Sequence, residues 1–505
     1  MKVLLILGHP RVESLGGTLY ASYRAGVEAV GIPFAELILA DLHFDMDVHE
    51  TTPDKQALEP GLQQAQELIR WADHLVFVYP TWWGTFPARL KAFLDRTLTP
   101  GFAFRARPEG RGWEPLLRGK TAELLTTMDT PVWVYQWLYK GPGHHALAQA
   151  TLGFCGVRTV RKTVFGPVRR STPTQRARWV AQARGLGSRL AHGPLTAWQR
   201  GRDKATAWVR AMRLQFYPMT WIAYTVGALA AGASQRVLET PRFWIGYMLL
   251  FFLELATVLS NEYFDYESDR HNTYAGPFNG GSRVLVDGVL SFQEVRSGIL
   301  VALALATLCA RVLLTCTRIP PLPFVLSVVI LGLLALGYTV PPLKLSHRGL
   351  GEVDVAVTHS VGVMVCGYVI QGGAWHNPLP WLLGLPLLVA VLPAIILSGL
   401  PDAEADRLAA KQTLVVILGR VWGVRLAMVC TMLAASMAII WHETGLVGAA
   451  YSDAVYAVIP HAVGVLWMLT QYLRVSAPLG RIDGLMLASL SYILWFGLIA
   501  LGGLA

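Results

Sequence analysis

The sequence predicts two structural classes in one chain: a doubly wound α/β domain followed by an all-helical membrane domain. Over roughly the first 200 residues, short apolar runs alternate with helical patterns, which indicates a parallel sheet covered by helices on both faces. Beyond residue 213 the apolar runs approach about 20 residues, the length with which a helix crosses a bilayer. Hydrophobic residues make up 53% of the 505 and charged residues 15%. That composition is too apolar for a soluble protein and too charged for a chain buried entirely in lipid.

The α/β domain, residues 1–192, contains five predicted strands. The unbroken apolar run at residues 2–8 is typical of a parallel strand that is buried on both faces. The first helix is expected to begin near Thr18. Five strands alternating with helices fit a flavodoxin-like doubly wound sheet, which binds its ligand at the carboxyl ends of the strands. The five predicted strands are residues 2–8, 34–40, 74–79, 121–127 and 159–165.

Two loops at those carboxyl ends carry the candidate binding residues of the first domain. The loop from His9 to Gly16 opens a helix, whose free N–H groups are suited to a phosphate. The loop after the third strand contains Trp82 and Trp83, whose rings are suited to stacking on an isoalloxazine. Each loop alone is weak support, because paired tryptophans are more often core residues.

With Trp71-Ala72-Asp73-His74 and the segment from Phe93 to Phe102, these loops resemble the flavodoxin-like NAD(P)H:quinone oxidoreductases over roughly residues 1–190. The resemblance implies a bound flavin, FAD or FMN, with NAD(P)H as reductant and a quinone as acceptor. Carried over by position, the residues around the flavin phosphate would be His9, Ser14, Leu15 and Gly16, and those around the ring would be Pro80, Thr81, Trp82, Trp83, Thr126 and Thr127.

The chain departs from that family after the fourth strand. Where the family has Gly-Gly, this chain has Met128-Asp129, which changes size and charge at the pyrimidine edge. The ring-side Tyr and His of the family correspond to Tyr135 and to His144 or His145. The departure keeps a second hypothesis open, in which the domain has lost its redox function and serves as a docking or regulatory module.

A basic linker, residues 193–213, joins the domains. Trp198 and Trp208 among arginines and lysines indicate an interfacial helix on an anionic leaflet, although a plain basic linker fits nearly as well. The membrane domain, residues 214–505, contains about nine spans. They fall near residues 216–233, 243–261, 297–315, 322–340, 354–372, 380–400, 423–441, 454–472 and 484–503.

Acidic residues mark the ends of two of these spans. Asn261, Asp265 and Asp269 recur every four residues and form one stripe on a helix, and Asp402 and Asp406 repeat that spacing. Carboxylates at a membrane-helix end are costly to desolvate. Hard oxygen ligands suit Mg²⁺, which takes a few carboxylates together with substrate phosphates. A solvated helix end is the simpler interpretation of either motif alone, whereas two such motifs on one side of the membrane indicate clusters that face one diphosphate.

These motifs resemble those of the UbiA superfamily of intramembrane prenyltransferases over roughly residues 213–505. The match includes three further segments: residues 280–285, 338–344 and 348–352. They are most similar to the branch that prenylates dihydroxynaphthoate and homogentisate-type acids. The resemblance implies Mg²⁺-dependent transfer from a prenyl diphosphate to an aromatic acceptor. Carried over by position, the metal ligands would be Asn261, Asp265, Asp269, Asp402 and Asp406.

Three more residues complete the expected transferase site. Lys344 and Arg283 would bind the diphosphate with Asn261, since both carry a positive charge, although snorkelling to the interface is the alternative for each. The ring of Tyr338 would face the allylic cation. Intramembrane carboxylates also mark ion paths in transporters. The position of both motifs at helix ends, away from the midplane, argues against transport.

The two resemblances together predict a bifunctional enzyme that reduces a quinone and prenylates an aromatic acceptor. The loops after even-numbered spans carry most of the basic residues, among them Arg270, Lys344, Arg407 and Lys411. The positive-inside rule therefore places the first domain and the acidic motifs in the cytoplasm, in a membrane of the bacterial inner-membrane type. The basic residues that border the spans follow the positive-inside tendency, and no nucleic-acid partner is expected.

Overall fold

The computed structural model describes residues 1–106, 112–232, 236–272, 276, 278, 280–475 and 482–505. The chain forms two compact units, Met1–Arg200 and Gly201–Ala505. The first is an α/β unit and the second is helical.

The first unit is built on a five-stranded parallel sheet in the order β2-β1-β3-β6-β7. All five predicted strands are confirmed. A small antiparallel pair, β4 with β5, was not predicted, because each strand has only three residues. The strands are β1 (Val3–Leu7), β2 (Phe34–Ile38), β3 (His74–Pro80), β4 (Phe104–Ala106), β5 (Trp113–Pro115), β6 (Thr121–Thr127) and β7 (Arg158–Phe165).

Helices cover both faces of this sheet. Along β1, Leu4 and Ile6 enter one core while Leu5 and Leu7 enter the other, so the strand is buried on both sides. Helices α2 (Pro60–Trp71) and α3 (Ala88–Thr97) contribute to the first core, and α1 (Leu15–Ala29) and α4 (Pro173–Arg189) to the second.

Helix α1 begins at Leu15, earlier than the predicted start near Thr18. The difference is due to Ser14, whose Oγ accepts a hydrogen bond from the Gly17 N–H at 3.1 Å and caps the helix. Leu15, Gly16 and Gly17 are thus the first turn of the helix, and they follow the loop at the carboxyl end of β1.

The linker residues form helix α5 (Ala197–Met212). Ala207 and Ala211 are buried, and the Trp208 ring packs so close to Gly298 that a Cβ there would lie 2.8 Å from it. Trp198 is exposed. The segment is therefore helical, as an interfacial helix requires, with one of its two tryptophans turned into the protein. Its contact with a membrane surface stays a prediction.

The second unit is an assembly of apolar helices. Each of the nine predicted spans coincides with a helix, but only seven helices of the described chain are long and apolar enough to cross a membrane. The count of nine is therefore not confirmed, since α6 has 14 residues and α10 has 17. The helices are α6 (Tyr217–Ala230), α7 (Pro241–Phe264), α8 (Tyr266–His271), α9 (Phe292–Cys316), α10 (Pro321–Gly337), α11 (Gly351–Ile370), α12 (Pro378–Leu408), α13 (Leu414–Glu443), α14 (Asp453–Arg474) and α15 (Asp483–Leu504).

The first acidic motif lies where α7 passes into α8. Asp265 stands between the two helices, and its N–H donates to the Asn261 carbonyl at 2.9 Å, while the Asp269 N–H donates to the Asp265 carbonyl at 2.9 Å. These bonds preserve the four-residue spacing across the break. The second motif lies within the last turns of α12, where Pro401 directly precedes Asp402.

Candidate active sites

One cavity of about 480 Å³ in the second unit is lined by both acidic motifs. Tyr338 also lines it, whereas much of the remaining wall is apolar, with residues such as Val258, Val391, Ile395 and Leu490. Carboxylates suit the charged head of a diphosphate carried by a cation, and the apolar wall suits a hydrocarbon chain. The motif residues in this wall are Asn261, Asp265, Asp269, Asp402 and Asp406.

Hydrogen bonds join the segment around the first motif to both carboxylates of the second motif. The Ser268 hydroxyl donates to Oδ1 of Asp406 at 2.8 Å, and the Asn272 amide donates to Oδ1 of Asp402 at 2.7 Å. The Gly280 N–H donates to Oδ2 of Asp402 at 3.0 Å. The segment around α8 thus fixes both carboxylates of the second motif.

Lys411 is the main site residue that the sequence interpretation did not assign. It was assigned to the basic loops, yet the structure leaves it only 8% exposed and places its Nζ 2.7 Å from Oδ2 of Asp265 and 3.6 Å from Oδ1 of Asp406. Burial alone would lower the pKa of Lys411, but the two carboxylates outweigh it and raise the pKa. The ammonium is therefore charged and bridges the motifs. The available signal was its position five residues after Asp406.

The acidic residues fit a magnesium ion. Oδ1 of Asn261 and Oδ1 of Asp265 are buried and have no hydrogen-bond partner within the part of the chain that the structure describes. Burial is the main cause that raises the pKa of Asp269 to about 8, and the charges of Asp265 and Glu262 add to it. No three acidic, His or Cys side chains of the described residues are grouped to hold an ion by themselves. Phosphate oxygens would therefore have to complete the coordination, as is usual for Mg²⁺.

The loop that follows α8 is held against α7 by Glu262. Its two carboxylate oxygens accept from the Val284 N–H at 3.0 Å and from the Ser282 N–H at 2.9 Å. Nη1 of Arg283 donates to the carbonyls of Asp269 at 2.8 Å and Asn272 at 3.0 Å. These contacts hold the glycine pair of the loop against the acidic motifs.

Arg283 and Lys344 do not line the cavity, whereas Arg213 and Lys411 do. The guanidinium of Arg283 is engaged with backbone carbonyls, so the structure gives it a positioning contact. The binding of diphosphate by Arg283 and Lys344 stays a prediction. Arg213 and Lys411 are two cations in the cavity wall that the sequence interpretation did not assign to the site.

Substituting Gly281 by alanine is expected to reduce the activity of this site at least tenfold. Its φ is +65°, and an added Cβ would lie 1.9 Å from Oδ2 of Asp269, so the carboxylate would have to move. Gly288→Ala is the matched control, because its φ is also +65° and nothing lies within 4 Å of the added atom. It measures the backbone strain alone, about 1 kcal/mol. Equal turnover in the two variants, measured in membranes, would contradict the close packing.

The predicted phosphate loop of the first unit is an ordered turn. The buried His9 accepts a hydrogen bond at Nδ1 from the Arg11 N–H at 2.9 Å. Ser14 caps α1, whose first N–H groups, those of Leu15 and Gly16, have no partner within the helix. Such a turn is suited to bind an anion.

The tryptophan loop lies beside it. Trp82 and Thr85 exchange backbone hydrogen bonds at 2.8 and 2.9 Å, which closes a tight turn with Trp83 fully exposed at its tip. The Trp82 ring is 6.0 Å from the His9 ring. Thr81 donates its N–H to the Thr127 carbonyl at 2.7 Å, and its buried hydroxyl has no hydrogen-bond partner in the described chain. A flavin fits these three features together: the exposed rings of Trp82 and Trp83, the N-terminus of α1 and the unpaired Thr81 hydroxyl.

The structure decides which histidine belongs to this site. The Tyr135 hydroxyl donates to the Gly84 carbonyl at 3.1 Å, and its ring is 5.1 Å from the buried His144 ring. Nε2 of His144 lies 3.2 Å from the Thr126 hydroxyl, whereas His145 is exposed. Tyr135 and His144 are therefore the pair beside the tryptophan loop.

The Asp129 side chain is engaged away from these residues. Its Oδ1 accepts from the Arg169 N–H at 2.8 Å, and its Oδ2 lies 3.1 Å from Nε of Arg169. The charge that Met128-Asp129 introduces is thus partly compensated by Arg169.

Comparison with known proteins agrees with both units. Residues 220–481 match the UbiA prenyltransferase family, and residues 1–186 match the flavodoxin-like fold. The chain belongs to the UbiA prenyltransferase family and carries a flavodoxin-like NAD(P)H oxidoreductase domain at its N-terminus. Both resemblances are confirmed, and the protein is an integral membrane protein.

Three curated relatives show the range of similarity. Human ribosyldihydronicotinamide dehydrogenase [quinone] is 31% identical over 194 residues, which cover 33% of this chain and 82% of the relative. An uncharacterized NAD(P)H oxidoreductase of Haemophilus influenzae is 28% identical over 173 residues, 33% of this chain and 85% of the relative. Lycopene elongase/hydratase of Corynebacterium glutamicum is 29% identical over 237 residues, 45% of this chain and 76% of the relative.

Proposed function

We propose that this chain is a bifunctional membrane enzyme of prenylquinone-type biosynthesis. Its first unit reduces a quinone with NAD(P)H, and its second unit transfers a prenyl group from a prenyl diphosphate to the resulting hydroquinone or to a related hydroxy-aromatic acid. The observation that carries the proposal is the single cavity in which two hydrogen-bonded acidic motifs meet an apolar wall.

Prenyl transfer begins when the bond between the allylic carbon and the diphosphate oxygen breaks, and the electron pair leaves with the diphosphate. Mg²⁺, when bound, neutralises the charge of that leaving group, and Asn261, Asp265, Asp269, Asp402 and Asp406 are the residues to hold it. Lys411 balances Asp265 and Asp406 and lies in the same wall as Arg213, so both cations are available to phosphate oxygens.

The remaining steps take place toward the apolar wall. The ring of Tyr338 offers a negative face to the allylic cation. A carbon of the acceptor ring attacks that cation, and the ring then loses a proton. The apolar residues exclude water, which would otherwise capture the cation as an alcohol.

The first unit supplies the electron-rich acceptor. A flavin, when bound, transfers two electrons from NAD(P)H to a quinone. The residues beside it would be the helix turn at His9, Ser14, Leu15 and Gly16 for its phosphate, and the Trp82 loop with Tyr135 and His144 for its ring. A quinone is a poor nucleophile, whereas its hydroquinone carries two donating hydroxyl groups.

The covalent linkage of the two units gives a physical basis for coupling quinone reduction to prenyl transfer. Joining the two units raises the local concentration of hydroquinone for the transferase without any new contact between them. The positive-inside rule supports a cytoplasmic position for both the first unit and the acidic motifs.

A second candidate acceptor is an isoprenoid alkene. The similarity to lycopene elongase/hydratase over 45% of this chain favours it, since that name denotes extension of a polyene. The first unit would then act as a separate reductase, or as a docking module without redox function.

The experiment that tests the proposal is a product screen. Membranes that contain the protein are supplied with Mg²⁺, geranylgeranyl diphosphate and either hydroquinones, hydroxynaphthoates or lycopene, and products are identified by mass spectrometry. Prenylated aromatic products support the proposal. A product with lycopene alone selects the second candidate, and the absence of products from all acceptors contradicts prenyl transfer.

Flavin binding gives a separate prediction. A fragment of residues 1–190 includes the whole sheet and α4, so it is expected to be soluble and to show visible flavin absorbance after reconstitution with FAD or FMN. In the full chain, Trp82→Ala is expected to weaken flavin binding at least tenfold, because stacking on an aromatic ring is lost. Trp113→Ala, on β5, is the control, because Trp113 is also exposed and its ring packs against Phe104 and Phe154. A fragment that stays colourless after reconstitution contradicts the flavin site and favours the docking module.

A further inference from the structure

Asp354 is a buried carboxylate in the cavity wall that belongs to neither acidic motif. Its side chain is 6% exposed, and neither carboxylate oxygen has a hydrogen-bond partner in the described part of the chain. A buried polar group without partners is unfavourable by about 1–3 kcal/mol. The carboxylate therefore stays unsatisfied until a group inside the cavity donates to it.

The position of Asp354 is set by the start of α11. Gly351 packs against Tyr338, because a Cβ on Gly351 would lie 3.0 Å from Cε2 of that ring. Residues three apart share one helix face, so Asp354 lies on the same side, about 4.5 Å further along the helix. Glu352, between them, is engaged at Oε1 by the Leu414 N–H at 2.7 Å. Asp354 is thus a carboxylate of the cavity wall three residues beyond Gly351, the residue that packs against the Tyr338 ring.

We infer that Asp354 accepts the proton that the acceptor loses during prenyl transfer, an inference that rests on the proposed function. The allylic C–O bond breaks and its electron pair leaves with the diphosphate. A π pair of the acceptor forms the new C–C bond and leaves the acceptor as a cation. The hydrogen on the attacked carbon then passes to the Asp354 carboxylate, and the electron pair of the C–H bond restores the π system. The substrate class is an arene or alkene that carries a hydrogen on the attacked carbon.

The other acid–base groups of the cavity are less well placed. Glu254 lies on α7, seven residues before Asn261 and hence about 10 Å along that helix from the first motif. His359 engages Nδ1 with the Val355 carbonyl at 3.1 Å. Asp265 and Asp406 contact Lys411. Asp354 combines two carboxylate oxygens that have no hydrogen-bond partner among the described residues with a position in the cavity wall outside both acidic motifs.

The test separates ionisation from proton loss. The full-length protein in membranes is given Mg²⁺, geranylgeranyl diphosphate and 2-methyl-1,4-naphthohydroquinone with hydrogen or deuterium at C3. Diphosphate release and prenylated product are measured separately. Asp354→Asn is expected to keep diphosphate release within about threefold, with prenyl alcohol appearing, while prenylated product falls roughly 10²-fold. A primary deuterium isotope effect on product formation should appear in this variant and be absent from the wild type.

Three further variants complete the experiment. Asp354→Glu keeps a carboxylate and is expected to regain most of the product. Asp453→Asn removes a carboxylate that is 94% exposed and should behave as the wild type. Glu254→Gln should show no isotope effect. A primary deuterium isotope effect in Glu254→Gln and none in Asp354→Asn would overturn the assignment of Asp354 as the proton acceptor.

The remaining outcomes are also decisive. Wild-type product from Asp354→Asn, parallel loss of diphosphate release and product, or equal product loss in the Asn and Glu variants each overturn the role of Asp354. If the wild-type protein itself forms no product from any acceptor, the proposed function fails instead.

Discussion

Alanine in place of Asp265 or Asp402 is expected to lower prenyl transfer by at least 10²-fold, the usual scale for losing a metal ligand or its support. Asp265 contributes a buried, unpaired Oδ1 and the closest ion pair to Lys411. Asp402 receives both the Asn272 amide and the Gly280 N–H. Each substitution therefore removes a candidate ligand and a contact that shapes the cavity.

The measurement is turnover in membranes over a range of Mg²⁺ concentrations, with EDTA as the zero point. Glu404→Ala is the matched control, because Glu404 lies between Asp402 and Asp406 in the sequence but is exposed. It should retain nearly all activity. The asparagine variants of the two aspartates preserve shape and should show a raised Mg²⁺ requirement. Wild-type turnover in both alanine variants would show that the site has been assigned wrongly.

An oxidised acceptor is expected to be prenylated only when NAD(P)H is present. The allylic cation needs an electron-rich partner, and 2-methyl-1,4-naphthoquinone becomes one only after two-electron reduction. The same acceptor, reduced chemically beforehand under anaerobic conditions, should be prenylated without NAD(P)H. Trp82→Ala should abolish the first reaction and spare the second, since the transferase residues are untouched.

Trp113→Ala and the intact chain serve as references for this experiment, with both reactions followed by mass spectrometry. Equal prenylation of the oxidised acceptor with and without NAD(P)H would leave the first unit as a passive module. If the chemically reduced acceptor is not prenylated, the result points instead to the alkene acceptor. The two parts of the proposal are therefore tested independently.

The elements of the fold could largely be predicted because their signals are local. The apolar runs of β1 and β3 and the lengths of α7 and α12 are properties of neighbouring residues. The predicted start of α1 was three residues late, because the helix cap depends on a single hydrogen bond from the Gly17 N–H to the Ser14 hydroxyl. The count of nine spans is not confirmed, because α6, with 14 residues, and α10, with 17, are shorter than the seven described helices that are long and apolar enough to cross a membrane.

The site could be predicted only in part, for a different reason. The four-residue spacing revealed the carboxylates, but the contacts that define their surroundings join residues far apart in the chain. The site role of Lys411 gave no signal because its partner Asp265 is remote in sequence. The guanidinium of Arg283 donates to backbone carbonyls, which its sequence position did not indicate. Asp354 gave no spacing signal, since its importance comes from its burial in the cavity wall, which only the folded structure reveals.

The hydrogen bonds between the two acidic motifs also constrain how the protein is made. Ser268 and Asp406 are 138 residues apart, and Asn272 and Asp402 are 130 apart. While the ribosome is still translating α9 to α11, the carboxylates of the first motif are already in place but their counterparts do not yet exist. Lys411 is translated last of these residues. Asp265 therefore has no ion-pair partner from Lys411 until α12 has been made. The complete site can therefore form only late in membrane insertion. Chains truncated before α12 contain the first acidic motif but lack Asp402, Asp406 and Lys411.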